Sequence, residues 1–90
     1  MFKLILRVIL IIINKMKKLY SLKINNVATI HSLDNSYEST ARLSEMGLIP
    51  GSLVRVVKKT PFGGPVQLKL NNYYIAIRKE DAQMINVVTQ

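Results

Sequence analysis

From Val27 onward, apolar and polar positions alternate in short runs, and most runs end at Gly, Pro or Asn. Val27-Ala28-Thr29-Ile30 predicts a first strand, after a lead-in from Leu19 to Asn26 in which Leu22 and Ile24 alternate with Ser21 and Lys23. Leu53 to Lys59 is β-branched and predicts a second, buried strand, and Val66-Gln67-Leu68-Lys69-Leu70 a third with period-2 alternation and one solvated face. Asn71-Asn72, both tolerant of φ > 0, predicts a two-residue hairpin into Tyr73-Tyr74-Ile75-Ala76-Ile77. Lys79 to Met84 suits one helical turn with Glu80 and Asp81 in its first turn, and Ile85-Asn86-Val87-Val88 a closing strand.

Between the first and second strands the period changes to 3.6. With Asn35 as N-cap, Glu38 falls at N3, the arrangement of a capping box. Tyr37, Ala41, Ser44 and Leu48 share one face, with Thr40, Leu43 and Gly47 beside them, while Glu38, Arg42 and Glu45 form the solvated stripe. If Met46 ends the helix, Gly47 is the C′ residue, suited to the left-handed conformation, and Leu43 and Leu48 take the C3 and C″ positions that touch in a Schellman motif. Pro50 and Gly51 fit the two central positions of a type II turn, where Pro presets φ and Gly supplies φ > 0. Thr60-Pro61-Phe62-Gly63-Gly64-Pro65 breaks the second strand and places Phe62 on a loop. Five strands, short loops and one inserted helix in about 72 residues predict a mainly β fold, a small and partly open SH3-like barrel.

The chain's 90 residues allow one domain, and without cysteine it can hold no disulfide, thiolate metal site or cysteine nucleophile. Its net charge of +8 is uneven. Lys3, Arg7, Lys15, Lys17 and Lys18 stand without an acid in residues 1–18, whereas the rest holds eight basic and five acidic residues, or +3. That is a weak footprint for a nucleic-acid domain, despite Lys58, Lys59, Lys69, Arg55 and Arg78. No nucleophile elbow or paired carboxylates are present, so an enzyme is not expected.

Residues 1–15, MFKLILRVILIIINK, carry an apolar run from Val8 to Ile13 behind Lys3 and Arg7. Spanning a membrane needs about 20 apolar residues, and no small-residue cleavage site follows for a signal peptide. The favoured reading is an N-terminal extension outside the working protein, with Met16 as the start and the domain over 16–90. A weak peripheral membrane anchor is second.

Arg42-Leu43-Ser44-Glu45-Met46-Gly47-Leu48-Ile49-Pro50-Gly51, Val54-Arg55-Val56, Pro61-Phe62-Gly63-Gly64-Pro65, Ala76-Ile77-Arg78, Ala82 and Ile85-Asn86-Val87 together resemble the FeoA domain family. The resemblance covers roughly Leu19 to Val88 and implies an SH3-like barrel. It further implies a small cytoplasmic accessory of ferrous iron transport and iron homeostasis, peripheral at the inner membrane only through its partner, the FeoB-type GTPase-linked permease. Such domains also form the C-terminal part of metal-dependent repressors of the diphtheria-toxin-repressor type, so a detached regulatory domain is an alternative. The family's label associates it with transition-metal binding, but no named ligand carries over to this chain. Residues 1–15 have no counterpart in the family pattern.

Among candidate residues, His31 with Asp34 and Glu38 nearby is too thin a set for a transition metal, and a polar residue at a strand end is the simpler account. The metal ligands stay unassigned and no cofactor is expected. Phe62 with Gly63 and Gly64 reads either as a docking tip for a partner or as a plug folded over one barrel end. Met46 and Leu48, at the helix end, are the other partner-contact candidates. Leu43, Gly47, Pro50, Gly51, Pro61 and Pro65 are assigned to the structural motif. Tyr73 and Tyr74 point to opposite faces, one into the core and one outward. The expected partner is the membrane transporter rather than nucleic acid; a nucleic-acid-binding barrel is the competing reading.

Overall fold

The computed structural model describes residues 2–90. In chain order the elements are α1 (Phe2–Lys15), β1 (Met16–Lys18), a 3-10 turn (Leu19–Ser21), β2 (Val27–Leu33), α2 (Tyr37–Glu45), β3 (Leu53–Lys59), β4 (Val66–Leu70), β5 (Tyr73–Ile77), α3 (Lys79–Ala82) and β6 (Ile85–Thr89). The six strands form one antiparallel sheet in the order β1-β6-β2-β3-β4-β5, which leaves β1 and β5 as its edges. The sheet wraps around a core that includes Ile30, Val54, Val56, Leu68, Leu70 and Val87, and α2 closes one side of it through Leu43.

The barrel is therefore the expected one, with a sixth strand added. β1 pairs in register with β6, Met16 opposite Val88 and Lys18 opposite Asn86. Its three side chains are all exposed, so no alternation marks it in the sequence. β3 is half-buried rather than fully buried, with Val54 and Val56 inward and Leu53 and Arg55 outward. The lead-in coils into the 3-10 turn, burying Leu19 and Leu22 and leaving Ile24 exposed.

The helix boundaries follow local chemistry at one end and tertiary contacts at the other. At the C-terminus, Gly47 sits at φ +99°, its N–H donates to the Ser44 carbonyl at 3.0 Å, and the Leu48 N–H reaches the Leu43 carbonyl at 3.0 Å. Those two bonds define a Schellman stop, and Leu43 and Leu48 are both fully buried beneath it. Pro50-Gly51 forms the expected turn, with Gly51 at φ +94° and the Ser52 N–H donating to the Ile49 carbonyl at 3.0 Å. At the N-terminus the cap is Ser36, not Asn35: the Ser36 Oγ accepts from the Ser39 N–H at 3.3 Å. Asn35 is withdrawn from capping because its amide donates across the fold to the Asp81 carbonyl at 3.1 Å. Glu38 then lies in the first turn without a capping box, where its charge still suits the helix N-terminus. Tyr37, expected on the buried face, is exposed.

β1 is tied to the barrel by side chains as well as backbone. The Lys18 ammonium donates to Asp34 Oδ2 at 3.1 Å and to Asn86 Oδ1 at 2.6 Å, and the Asn86 amide donates to Asp34 Oδ2 at 2.9 Å. Hydrogen bonding from Asn86, then from Lys18 with its charge, holds the Asp34 carboxyl below the ordinary aspartate value. Because the folded value is the lower one, the stabilisation from this carboxylate is present at neutral pH and lost as pH falls through that value. An NMR carboxyl titration should therefore place the Asp34 midpoint below that of an unfolded aspartate. Lys18→Met should bring it only part-way back, because Asn86 remains. A wild-type midpoint at the ordinary value would mean that the Lys18–Asp34–Asn86 cluster is not formed.

Candidate docking site

The loop between β3 and β4 is built to hold one side chain out. The Thr60 N–H donates to the Pro65 carbonyl at 3.1 Å, which clamps the loop at its base. Pro61 and Pro65 restrict φ on either side, and Gly64 packs so closely on Thr60 that an added Cβ would lie 2.6 Å from the Thr60 methyl. Gly63 turns the chain at φ +77°. Phe62 lies at the tip at φ +61° with its ring fully solvent-exposed. The plug reading is thereby excluded, and the tip reading fits the geometry. A bulky residue in the left-handed region is a backbone outlier with a cost of order 1 kcal/mol, and a ring that buries nothing returns none of it to folding.

Around the tip the surface is basic and aromatic. Gly63 faces the Lys79 side chain. Lys59 and Lys79 hold their ammonium groups 5.0 and 5.4 Å from the Tyr20 ring centroid, and Lys59 also donates to the Tyr20 carbonyl at 2.6 Å. These contacts fix two cations beside the loop. Because α3 begins at Lys79, the same surface adjoins Arg78 and Asp81.

Asp81 anchors a second feature absent from the sequence reading. Almost fully buried, its carboxylate accepts from Arg42 Nη2 at 3.0 Å and from Arg78 Nε at 3.3 Å. Arg42 keeps its exposed place on the solvated stripe and also joins α2 to α3. The three residues, with Leu43, Met46, Ala76 and Ile77, line an open cleft of about 350 Å³ between α2 and the end of β5. By spacing alone Arg42 pairs with Glu38 and Glu45 on its own helix, whereas the structure pairs it with Asp81, so the sequence carried no direct signal for this cluster.

Of the other partner candidates, Met46 is half-buried on the rim of that cleft, packed against the core on one side. Leu48 is a correction: it is fully buried under the Schellman turn and offers no surface to a partner. Neither Tyr73 nor Tyr74 is core: both are exposed, and β5 contributes Ile77 to the core instead. Tyr73 lies across the end of α2 and donates from its hydroxyl to the Met46 carbonyl at 2.9 Å, while Tyr74 carries Lys69 5.6 Å over its ring.

His31 sits on the outer face of β2 where its register with β6 shifts, and its Nδ1 is 3.1 Å from the Ser32 hydroxyl. Among the described residues no group of three or more His, Cys, Asp or Glu side chains converges as a metal site would require. The donors present do not fit a transition-metal centre.

The FeoA domain profile matches residues 17–89. The chain belongs to the FeoA domain family. A solution structure of iron(II) transport protein A from Clostridium thermocellum is 34% identical, with 81% of this chain and 45% of that one covered at a TM-score of 0.75. The FeoA protein of Chlorobium tepidum is 27% identical over 81% of this chain and 70% of its own, at 0.76. The zinc complex of Stenotrophomonas maltophilia FeoA, described as an SH3 domain protein, is 27% identical over 82% and 89%, at 0.66. A manganese-dependent transcriptional repressor shares the fold at 18% identity, and this chain covers 42% of it. The SH3-like barrel expected from the strand pattern is the fold of this family, and residues 2–15 lie outside the match.

Proposed function

We propose that this FeoA-type domain, residues 16–90, is a non-catalytic accessory of ferrous iron transport that docks on the cytoplasmic side of an FeoB-like membrane transporter through the Phe62 loop. The observation that carries the reading is Phe62 itself: a fully exposed aromatic ring held at φ +61° on a clamped loop. Strain kept at a position that contributes nothing to folding argues for a role in binding. Pre-ordering of the loop by Pro61, Pro65 and the Gly64–Thr60 contact lowers the entropy lost on docking. With Lys59 and Lys79 held beside the loop, the complementary surface is an apolar pocket rimmed by carboxylates. Met46, on the cleft rim, and the backbone at Gly63 and Gly64 complete the contact. The reading assigns no metal ligand to this chain; ferrous iron is the cargo of the transporter.

Two measurements on the same variants test it. Phe62→Ala should leave the unfolding free energy within about 0.5 kcal/mol of wild type, and Phe62→Asn should raise it by up to about 1 kcal/mol, because asparagine tolerates the left-handed region. Both should lose recovery of the transporter from solubilised membranes. A several-kcal/mol loss in Phe62→Ala would make the ring structural, and unchanged recovery would move the contact elsewhere. Tight, sequence-tolerant binding of labelled DNA or RNA at moderate salt would favour the nucleic-acid reading instead.

A further inference from the structure

Among the described residues helix α1 exposes ten large apolar side chains, and nothing in the barrel covers them. None of its residues is buried, and it runs into β1, the edge strand, without a linker. Lys3, Arg7 and Asn14 are spaced i, i+4 and i+11, which a 3.6-residue period gathers on one narrow stripe. Ile5, Ile9 and Ile12 lie directly opposite, 54%, 45% and 48% exposed, and Phe2, Leu4, Leu6, Val8 and Ile13 widen that face. So broad an apolar arc with a thin cationic stripe is the pattern of a helix lying in a lipid interface.

Length and charge select the occupant. Fourteen residues span about 21 Å, short of the roughly 30 Å hydrocarbon core, so the helix can lie in the membrane plane but not cross it. Among the described residues, Lys3, Arg7, Lys15 and Lys17 pair with no acidic side chain. A second copy of α1 packed on the isoleucine face would leave these cations unneutralised, whereas anionic headgroups would neutralise all four. We propose that α1 binds this chain to an anionic lipid surface, its isoleucine face at the acyl boundary and its cations among the headgroups. The barrel would then be held beside the membrane independently of any protein partner.

Sedimentation of the full chain with protein-free vesicles tests this. The chain should bind phosphatidylglycerol-rich vesicles and only weakly those of phosphatidylcholine, with binding reduced by salt. Lys3→Gln and Arg7→Gln should each weaken it by roughly fivefold, and Ile9→Asp by about tenfold or more. None of the three should shift the denaturant midpoint, because α1 buries nothing on the barrel. Absence of vesicle binding would overturn the inference. Binding equal on both lipids and indifferent to Ile9→Asp would also overturn it. So would a dimer in light scattering that Ile9→Asp dissociates while vesicles are ignored, since a second copy would then be the occupant. No transporter is present in these vesicles, so the docking role of Phe62 stands or falls separately.

Discussion

Gly47→Val should lower the unfolding free energy by about 2–4 kcal/mol, a large share of the stability of so small a domain. Two effects combine. At φ +99° a β-branched residue is strained by about 1–3 kcal/mol. A Cβ at this position would also overlap the Tyr73 hydroxyl. Moving Tyr73 breaks its hydrogen bond to the Met46 carbonyl, a loss of about 1 kcal/mol. The two effects separate experimentally. Gly51, at φ +94°, has open space where its Cβ would stand, so Gly51→Ala reports the backbone term alone. In a Tyr73→Phe background, Gly47→Ala should fall to the level of Gly51→Ala, since only the hydroxyl is in the way. Denaturant midpoints of the four variants decide it. An unchanged midpoint for Gly47→Val would mean that α2 does not end in a left-handed glycine.

Leu48→Ala should be as damaging, at about 2–5 kcal/mol, because its fully buried side chain leaves a cavity the barrel cannot refill. Leu43→Ala should cost a comparable amount, and the pair should be less than additive, since both side chains belong to the one buried core beneath the helix stop. Ile49, adjacent in sequence but nearly half exposed, provides the control: Ile49→Ala should stay within about 0.5 kcal/mol. The readout that matters is paired with binding. The folded fraction of Leu48→Ala should still recover the transporter, since Leu48 presents no surface. Loss of recovery at preserved stability would restore it to the docking surface and displace the core assignment.

These two residues, neighbours in the chain, mark the line between what the amino-acid order determines and what the fold decides. The Schellman stop at Gly47, the type II turn at Pro50-Gly51 and the Asn71-Asn72 hairpin were all legible, because each rests on the φ preference of one or two residues and their immediate hydrogen bonds. The SH3-like barrel was legible too, because period-2 alternation between such turns leaves few ways to bury one face of five short strands. β1 was not legible. Its three exposed side chains carry no pattern, and it is a strand only because β6, about 70 residues later, offers an unpaired edge. The choice of Ser36 over Asn35 as cap was likewise non-local, since Asp81 takes up the Asn35 amide. Leu48 and Phe62 show the same division at the site. Both are apolar residues beside glycines, and only the path of the chain sends one under the helix stop and the other into solvent. The same holds for Arg42 and Asp81, 39 residues apart, whose meeting makes the cleft wall. The sequence by itself determined where the backbone turns, because turning is governed by single-residue steric preference. Which side chains the turns bring together, and which they leave in water, depended on contacts among distant segments that only the folded barrel creates.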